Sequence, residues 1–450
     1  MNPNQTLKKR DLYLNKLIKF KDMEAVKIIT GIRRCGKSSL LKLMVEYLKT
    51  HGVEDEQIVE INFESYDFRT MGKDEFYHYV KEKSLHGKRL YLFFDEVQRV
   101  EGWEDVVNAF RVDLNCDIYL TGSNAYLLSS EYSTYLAGRF VEIKMLPLSF
   151  WEFLYFHDFT IRETINVLGE NEKYICDKND RRYELKELFN AYLRFGGMPI
   201  IADIGFDQEK AYTLLEGMYS TIVIRDIMER GKRKGESTLS DTALLSKIVR
   251  FLADNIGSNI SVNSIGNVLV NEGLLKDTKR KGAPSAHTVQ AYINALLESY
   301  IFYDIKRFDI KGKAFLRTLG KYYIVDMGLR NYLLGFRNRD IGHILENVVY
   351  FELIRRGYDV SVGKVDNLEI DFIAINSNEK IYIQVTESML GEEVKKRELL
   401  PLEKIRDNYE KVVLSLDEGI GVNNSYEGIK VLNLLTWLLE YKYYTNFKGL

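Results

Sequence analysis

Apolar and polar residues near the N-terminus follow two different periods. The stretch AVKIIT, which ends at Thr30, is almost continuously apolar and predicts a buried β-strand. The stretch SSLLKLMVEYLKT, which begins at Ser38, carries apolar residues at helical spacing. A glycine-containing turn separates the two stretches. This order predicts a strand, a tight loop and a helix, as found in α/β folds.

Two further apolar runs predict strands that are buried on both faces, as in a parallel sheet. The run LYLFF is followed by Asp95 and Glu96, and the run IYLT is followed by Gly122, Ser123 and Asn124. Another strand-like stretch, FVEIKM, comes directly after an arginine. Polar side chains therefore stand where two of the predicted strands end.

The turn after the first strand matches the pattern G-x-x-x-x-G-K-[ST], which holds phosphate groups. Its glycines let successive N–H groups point at phosphate oxygens, and the following helix adds a partial positive charge at its N-terminus. The lysine reaches the outer phosphates, and the first serine coordinates Mg²⁺. The predicted phosphate-binding residues are Gly31, Arg34, Cys35, Gly36, Lys37, Ser38 and Ser39.

The two acids after the second strand predict a metal ligand and a base. An acid at the carboxyl end of a strand beside the phosphate loop can orient Mg²⁺, and a neighbouring acid can polarise an attacking water. We assign Asp95 to the metal, together with Ser38, and Glu96 to the general base. Lys37 also contributes to catalysis in this interpretation because it holds the γ-phosphate.

Two more side chains are candidates for the catalytic group. Asn124 is positioned to sense the γ-phosphate and to place the water, with Ser123 as the second candidate. Arg139, just before a predicted strand, either stabilises transition-state charge or is a solvated structural arginine. In the first case it acts in its own site or in that of a neighbouring copy.

Composition limits the classes of protein to which the chain can belong. Apolar residues make up 46% of the chain and only 5 residues are proline, so disorder is excluded. The formal net charge of −2 argues against a basic nucleic-acid coat. No apolar run has the length of a bilayer span. The 3 cysteines and 6 histidines lack metal-ligand spacing, which predicts a reduced cytoplasmic protein without structural zinc.

The middle of the chain is predicted to be largely helical. Residues 151–239 are expected to form helices, and residues 240–335 show three helices followed by two strands, the order found in a winged helix. If this part binds DNA, the third helix would present His287, Thr288 and Gln290 to the bases. The alternative is a winged helix that serves only domain packing or protein contacts.

Several motifs together resemble one protein family. They are GIRRCGKSSLL, LFFDEVQ, TGSNAYLLS, LAGRFVEIKMLPLSFWEF and YLRFGGMP. They are similar to the AAA+-type ATPases of archaea and bacteria that carry an uncharacterised C-terminal domain. The resemblance implies an α/β chain with a P-loop ATPase domain at 1–150, a helical lid or linker at 151–239, a winged-helix domain at 240–335 and a restriction-endonuclease-like domain at 336–450. ATP, rather than GTP, is implied by the resemblance.

The resemblance also implies a nuclease-like site in the C-terminal domain. A helix with Glu346, a strand with Asp371 and a strand with Gln384 match the layout of that nuclease fold. Active relatives carry a lysine two residues after the second strand ligand, where this chain has Thr386. We therefore expect a silent or weak nuclease-like domain that binds nucleic acid or a protein partner.

The sequence thus predicts an ATPase that uses ATP and Mg²⁺ and couples nucleotide state to its other domains. One alternative is a nucleotide-gated switch with negligible hydrolysis, and another is an ATP-gated, Mg²⁺-dependent nuclease. The expected partners are DNA, through the winged helix and the short basic stretches MERGKRKGES and KDTKRKGAPS, or a protein. Assembly into a homo-oligomer stays open, and no membrane partner is expected.

Overall fold

The computed structural model describes residues 7–123, 138–165, 171–222, 227–228, 239, 241–271, 284–337, 341–417 and 424–440. The chain forms two compact units, which are described separately. The first unit contains the chain up to Pro147 together with Glu298–Tyr300. The second unit contains Leu148–Leu297 and Ile301–Glu440.

The first unit is a parallel sheet with helices between its strands. The strands are β1 Val26–Thr30, β2 Ile58–Asn62, β3 Leu90–Asp95, β4 Cys116–Gly122 and β5 Phe140–Lys144. The helices are α1 Asp11–Lys19, α2 Lys37–Thr50, α3 Lys73–Glu82 and α4 Trp103–Asp113.

The strands lie in the order β2-β3-β4-β1-β5, and every neighbouring pair is parallel. All residues of β1 and β3 are buried, as the continuous apolar runs predict. The carboxyl ends of the strands meet at one edge, where ligands bind in open α/β sheets. The prediction of an N-terminal parallel sheet in an α/β chain is confirmed.

A buried ion pair joins β1 to β4 near the opposite edge of this sheet. The Nζ of Lys27 donates to the carboxylate of Asp117 and to the carbonyl of Met23, the latter at 2.7 Å. The second oxygen of Asp117 accepts from the Tyr119 hydroxyl at 2.9 Å and from the Asp22 N–H at 2.8 Å. Burial lowers the pKa of Lys27, and the Asp117 carboxylate opposes that effect. The lysine within the apolar run is thus paired inside the sheet rather than exposed.

The second unit contains helices, a small sheet and a large sheet. Its helices are α5 Phe150–Phe156, α6 Leu185–Phe195, α7 Pro199–Ala202, α8 Gln208–Tyr219, α9 Thr242–Asp254, α10 Val262–Asn271, α11 Ala286–Glu298, α12 Met327–Leu334, α13 Ile341–Arg355, α14 Glu392–Glu403 and α15 Leu434–Leu438. Its strands are β6 Thr160–Ile165, β7 Asn171–Cys176, β8 Arg182–Tyr183, β9 Phe302–Asp309, β10 Ala314–Ile324, β11 Asp359–Val365, β12 Leu368–Ile375, β13 Lys380–Thr386, β14 Glu410–Ser415, β15 Asn424–Tyr426 and β16 Ile429–Asn433. Across the described ranges, no helix has both the length and the apolar content needed to cross a membrane.

A three-stranded sheet, β6-β7-β8, lies within the region that the sequence predicts to be helical. The strands pair antiparallel, and the turn before β8 is held by Asp177, whose carboxylate accepts from the N–H groups of Asn179 at 2.8 Å and Arg181 at 3.0 Å. An aspartate that binds backbone N–H groups two and four residues ahead favours a turn over a helix. The mostly helical prediction for 151–239 is therefore wrong for these strands.

The large sheet has eight strands in the order β10-β9-β11-β12-β13-β14-β16-β15. The sequence predicted that β9 and β10 form the wing of a separate winged-helix domain. In the structure β9 also pairs in parallel with β11, so this hairpin is the edge of the same sheet that carries Asp371 and Gln384. The pairing satisfies the backbone groups of β9, which would otherwise form an open edge. The domain boundaries at 239/240 and 335/336 stay predictions.

The YLRFGGMP motif contains the end of α6 and the turn after it. This turn packs against the start of α12. Asp326 caps α12 by accepting the Leu329 N–H at 2.9 Å, and its other oxygen accepts the Gly197 N–H at 2.6 Å. A Cβ on Gly197 would lie 2.4 Å from the carbonyl oxygen of Leu148, so only glycine fits. Burial raises the pKa of Asp326 to about 6. One buried carboxylate thus joins two helices that are far apart in sequence.

Replacing Asp326 by alanine is expected to destabilise the second unit. Two buried N–H donors would lose their acceptor, and each such loss costs about 1 to 3 kcal/mol, so we expect a loss of about 2 to 6 kcal/mol in the free energy of unfolding. Chemical denaturation measures this loss. The matched control is Asp207→Ala, which removes an exposed cap that accepts the Lys210 N–H at 3.1 Å and should cost about 1 kcal/mol. Equal losses in the two variants would contradict the interlocking role.

Candidate functional site

The predicted phosphate loop connects β1 to α2, as the sequence indicates. Gly31 begins the loop with φ of 141°, and a Cβ there would lie 2.1 Å from the carbonyl oxygen of Met145. The Met145 N–H donates to the Thr30 carbonyl at 2.7 Å, which fixes this close approach. Only glycine can occupy such a position, so the loop can curl tightly against the segment that follows β5.

Lys37 is buried and folds back over the loop. Its Nζ donates to the carbonyl oxygens of Gly31 at 2.9 Å and Ile32 at 3.1 Å. The ammonium group therefore lies inside the curl of the loop, where an anion could replace the two carbonyls as its partner. Ser38 is exposed at the first turn of α2, so its hydroxyl is accessible to a ligand.

The remaining loop residues differ in what they can offer. The side chain of Cys35 is fully buried, and its N–H donates to the Ile32 carbonyl at 3.3 Å. Arg34 is exposed and has φ of 67°, a left-handed conformation that is uncommon for residues other than glycine. Gly36 precedes α2, and Ser39 is half-buried in its first turn. The backbone, rather than the cysteine side chain, is thus the part of this loop that can meet a phosphate.

Asp95 is the last residue of β3 and is held by two neighbouring strands. The Thr121 hydroxyl, on β4, donates to its Oδ1, and the Asn62 side-chain amide, on β2, donates to its Oδ2 at 3.1 Å. The two hydrogen bonds hold the carboxylate in one orientation at the edge of the sheet. Neither was predicted from the sequence, although Asn62 ends a strand much as Asp95 does.

Glu96 follows in a left-handed conformation, with φ of 56°. Such a conformation costs about 1 kcal/mol or more for a residue with a side chain. The Glu96 N–H donates to the Thr121 hydroxyl oxygen at 3.0 Å. Its carboxylate accepts from the Ser123 hydroxyl at 3.1 Å and from the Gln98 side-chain amide. Thr121 therefore orients both acids, and Ser123 and Gln98 hold the predicted base.

The strand register places these groups beside the phosphate loop. Thr30, the last residue of β1, pairs with Gly122 on β4, and Phe94 on β3 pairs with Leu120. The loop that follows Thr30 and the two acids that follow Phe94 hence leave the same edge of the sheet, on either side of β4. This is the arrangement that the sequence predicts.

Asn124 and Arg139 are the remaining predicted catalytic residues. Asn124 lies outside the described residues. Arg139 is exposed directly before β5, and its carbonyl oxygen accepts the Val26 N–H at 2.9 Å. The backbone of Arg139 thus extends the pairing of β1 and β5, while the role of its side chain stays a prediction.

A glutamate that sequence reasoning missed links the phosphate loop to the segment after β3. Glu64 accepts from Arg33 in the loop and from Arg99, each at 2.6 Å. The sequence holds one indication of this role. In INFES, Glu64 follows two residues after Asn62, the polar residue that ends β2. Its two arginine partners lie on loops whose contact the sequence does not reveal.

The oxygen ligands at this edge of the sheet fit Mg²⁺. The Ser38 hydroxyl and the Asp95 carboxylate are hard oxygen ligands, and Mg²⁺ in phosphate sites commonly uses one or two protein ligands plus phosphate and water oxygens. Within the part of the chain that the structure describes, no group of three or more His, Cys, Asp or Glu side chains is arranged to hold a metal ion. A site here would therefore depend on the phosphates for its remaining ligands.

The predicted nuclease-like residues also lie together, in the second unit. The Asp371 carboxylate on β12 accepts the Val385 N–H at 2.8 Å, and the side chain of Gln384 on β13 accepts the Asp371 N–H at 3.4 Å. Glu346 on α13 accepts the Tyr323 hydroxyl at 2.9 Å. Burial, followed by the charge of Glu346, raises the pKa of Asp371 well above its ordinary value.

Thr386 and Lys321 are two further buried residues in this part of the second unit. Thr386 is buried, and its hydroxyl donates to the Ser388 carbonyl at 3.1 Å. The sequence indicated that the site lacks a lysine, yet Lys321 on β10 reaches Glu346 with an N–O distance of 3.3 Å. Burial lowers the pKa of Lys321, but Glu346, Asp371 and Glu369 together raise it above its ordinary value. Lys321 was missed because it lies on a strand assigned to another domain.

Two family models match the chain. A model described as an AAA domain matches residues 23–154, the part that contains the parallel sheet and its loops. A domain of unknown function, DUF8612, matches residues 186–340. The AAA match confirms the AAA-type part of the resemblance. The matched models supply no evidence for a relation to nucleases.

Two solved structures show a distant likeness. The Walker-type ATPase PABY2304 of Pyrococcus abyssi is 16% identical, with a TM-score of 0.46, over 73% of this chain and 96% of that chain. The Orc1 protein of Aeropyrum pernix, solved in a complex with DNA, is 11% identical, with a TM-score of 0.30, over 74% of this chain and 94% of that chain.

Two relatives match almost end to end. An uncharacterized protein of Methanocaldococcus jannaschii, MJ1544, is 29% identical over 97% of this chain and 94% of its own length. An uncharacterized protein of Haemophilus influenzae is 38% identical over 96% of this chain and 98% of its own length. The protein therefore belongs to the same family as the Haemophilus influenzae protein and carries an AAA domain at residues 23–154.

Proposed function

We propose that the protein binds ATP with Mg²⁺ and hydrolyses it to ADP and phosphate. The observation that carries this proposal is the buried ammonium of Lys37 inside the curled loop, at the same sheet edge as Asp95 and Glu96. A lysine, a helix N-terminus and two acids at neighbouring strand ends match what phosphoryl transfer to water requires.

Each residue has one task in this proposal. Lys37 exchanges its two loop carbonyls for β- and γ-phosphate oxygens when the nucleotide enters. Ser38 and Asp95 would hold Mg²⁺, which when bound offsets the negative charge of the phosphates. Glu96 accepts a proton from the attacking water, and Ser123 lies close enough to its carboxylate to help place that water.

The alternative function is a nucleotide-gated switch with negligible turnover. The specific observation in its favour is that the Glu96 carboxylate already accepts hydrogen bonds from Ser123 and Gln98. A carboxylate that already accepts two hydrogen bonds is a weaker acceptor for the attacking water molecule. Binding without hydrolysis would follow if these contacts persist in the nucleotide complex.

Arg139 and assembly form a further part of the proposal. Because Arg139 is exposed beside β5, its guanidinium is free to approach phosphates in its own site or in a neighbouring copy. A homo-oligomer is required only in the second case. Asn124 keeps its proposed role as a γ-phosphate sensor.

The second unit is proposed to bind the partner, either DNA or a protein. The winged-helix interpretation of 240–335 now rests on α9, α10 and α11, since the wing strands belong to the large sheet. His287 is exposed and Gln290 is half-buried, so both could meet a ligand, but Thr288 is buried and bonded to Ser285. Thr288 is therefore removed from the predicted base contacts. An ATP-gated nuclease remains the third function.

Phosphate release with and without nucleic acid tests the partner class. We expect duplex DNA to raise the steady-state rate, and the rise to weaken as salt increases because phosphate contacts release counterions. Single-stranded DNA and RNA at equal nucleotide concentration are the controls for strand type. Absence of stimulation by all three would contradict a nucleic-acid partner and leave the protein partner.

A further inference from the structure

A buried arginine that directly precedes α1 reaches the phosphate loop. Arg10 is 3% exposed, and its guanidinium donates to backbone carbonyls of the loop and of the segment that follows β5. Its Nη1 donates to the Cys35 carbonyl at 3.0 Å and to the Leu146 carbonyl at 2.8 Å. Its Nη2 donates to the Pro147 carbonyl at 3.3 Å. A buried charge needs such directed bonds, and they hold the side chain in one place.

Tyr13, in the first turn of α1, holds the same segment. Its hydroxyl oxygen accepts the Leu146 N–H at 3.1 Å, and the Arg10 guanidinium lies 4.6 Å from the centre of its ring. Tyr13 is buried as well. We name Arg10 and Tyr13 the Arg10 clamp. The clamp binds both the N–H and the carbonyl of Leu146, so this residue is fixed on two sides.

The phosphate loop packs against the segment that the clamp holds. A Cβ on Gly36 would lie 3.2 Å from the side-chain methyl group of Met145, and Gly31 approaches the Met145 carbonyl still more closely. The clamp therefore acts on the loop in two ways. It binds the Cys35 carbonyl directly, and it fixes the segment on which both glycines pack.

The bond to Cys35 also sets the direction of a neighbouring N–H group. A trans peptide is planar, so its carbonyl oxygen and its N–H point to opposite sides. Because Arg10 holds the Cys35 carbonyl, the Gly36 N–H is directed away from the guanidinium. The left-handed Arg34 lies just before this peptide, and such a conformation persists only where its surroundings enforce it. The clamp supplies part of that restraint.

We infer that Arg10 is a positioning residue, which holds the phosphate loop in its binding conformation before a nucleotide enters. The inference rests on the proposed function, because it concerns the same loop. Arg10 acts through the backbone of the loop rather than by a bond to the nucleotide. Without it, the loop N–H groups remain but are no longer aligned, and affinity falls with the fraction of time that the loop spends in its binding conformation.

The test replaces Arg10 by methionine, which keeps an apolar stem and removes the guanidinium. Calorimetric titration measures the dissociation constants of Mg-ATP and of inorganic tripolyphosphate. We expect both constants to rise by the same factor, about 10-fold if the unclamped loop spends about a tenth of its time in the binding conformation. The KM of ATP hydrolysis should rise likewise, with kcat little changed, because the lost contribution is to binding.

Further variants separate positioning from misfolding. Tyr13→Phe removes only the hydroxyl that accepts the Leu146 N–H, so it should raise both constants by a smaller factor. Arg10→Lys keeps the charge without the planar fork of donors and should weaken binding nearly as much as Arg10→Met. The matched control is Lys9→Met, at the exposed neighbouring position, which should change neither constant. The Tm of each nucleotide-free variant shows that it folds.

Amide hydrogen exchange of the nucleotide-free protein tests the clamp without a ligand. Exchange in residues 31–39 should be faster in Arg10→Met than in wild type and unchanged in Lys9→Met. Unchanged exchange in Arg10→Met would overturn the inference, and so would a loss of affinity for ATP that spares tripolyphosphate, because Arg10 would then contact the nucleoside. If the wild-type protein binds neither compound, the proposed function fails, and exchange in the loop alone decides whether the clamp acts.

Discussion

Glu96→Gln is expected to lower the steady-state rate of phosphate release by about 10²- to 10⁴-fold, the usual contribution of a general base. Glutamine has the size of glutamate but cannot take a proton from water. Nucleotide affinity should change little, because Lys37 and the loop N–H groups hold the phosphates. The variant should therefore accumulate bound ATP, which filter binding with radiolabelled nucleotide measures.

The structure offers a reason to expect that Glu96→Gln will fold. The left-handed backbone at Glu96 is fixed by its N–H bond to Thr121, which the substitution retains. The new amide can still accept from Ser123 through its oxygen. Glu101→Gln is the matched control, since Glu101 is exposed and lies five residues further along the same segment. An unchanged rate in Glu96→Gln would show that Glu96 is not the general base, whereas a wild-type rate no higher than background would favour the switch over the ATPase.

The position of the predicted phosphate loop between β1 and α2 could be read from the sequence because its pattern is local. Gly31, Lys37 and Ser38 lie within one short stretch, and an apolar strand before it and a helical period after it determine their geometry. The position of Asp95 and Glu96 at a strand end was predictable for the same reason, as the pair follows directly on an apolar run. In both cases neighbours in sequence are also neighbours in space.

The residues that orient the acids could not be identified in this way. Thr121 and Asn62 contact Asp95 across strands, and the register of those strands is set by the whole sheet rather than by the local sequence. Gln98 is close in sequence, but its contact with Glu96 depends on the left-handed turn between them. A left-handed glutamate has no signature in hydrophobic periodicity.

The second unit was harder to predict because its contacts span long sequence distances. The wing interpretation of β9 and β10 assumed that consecutive strands form a module of their own, whereas β9 continues the sheet through β11. Lys321 was overlooked with them. The two glycines of YLRFGGMP had no chemical explanation until Asp326, 129 positions away from Gly197, proved to be their partner.

Lys37→Met is expected to weaken nucleotide affinity by about 10- to 100-fold. The ammonium makes charge-assisted bonds to phosphate oxygens, worth about 1.5 to 3 kcal/mol each, and a tenfold change corresponds to about 1.4 kcal/mol. Methionine retains the apolar stem within the buried loop but gives up the charge. Titration of a fluorescent ATP analogue in the presence of Mg²⁺ measures the dissociation constant.

A second effect must be separated from the first, because Lys37 also bonds to the carbonyls of Gly31 and Ile32 in the nucleotide-free loop. Losing these bonds could loosen the loop and weaken binding indirectly. The melting temperature without nucleotide reports that effect, and Lys42→Met, on the exposed face of the same helix, controls for the loss of a lysine. If Lys37→Met melts like wild type and still binds ATP with wild-type affinity, the buried ammonium does not hold the phosphates. The position of Lys37 would then no longer support the ATPase proposal.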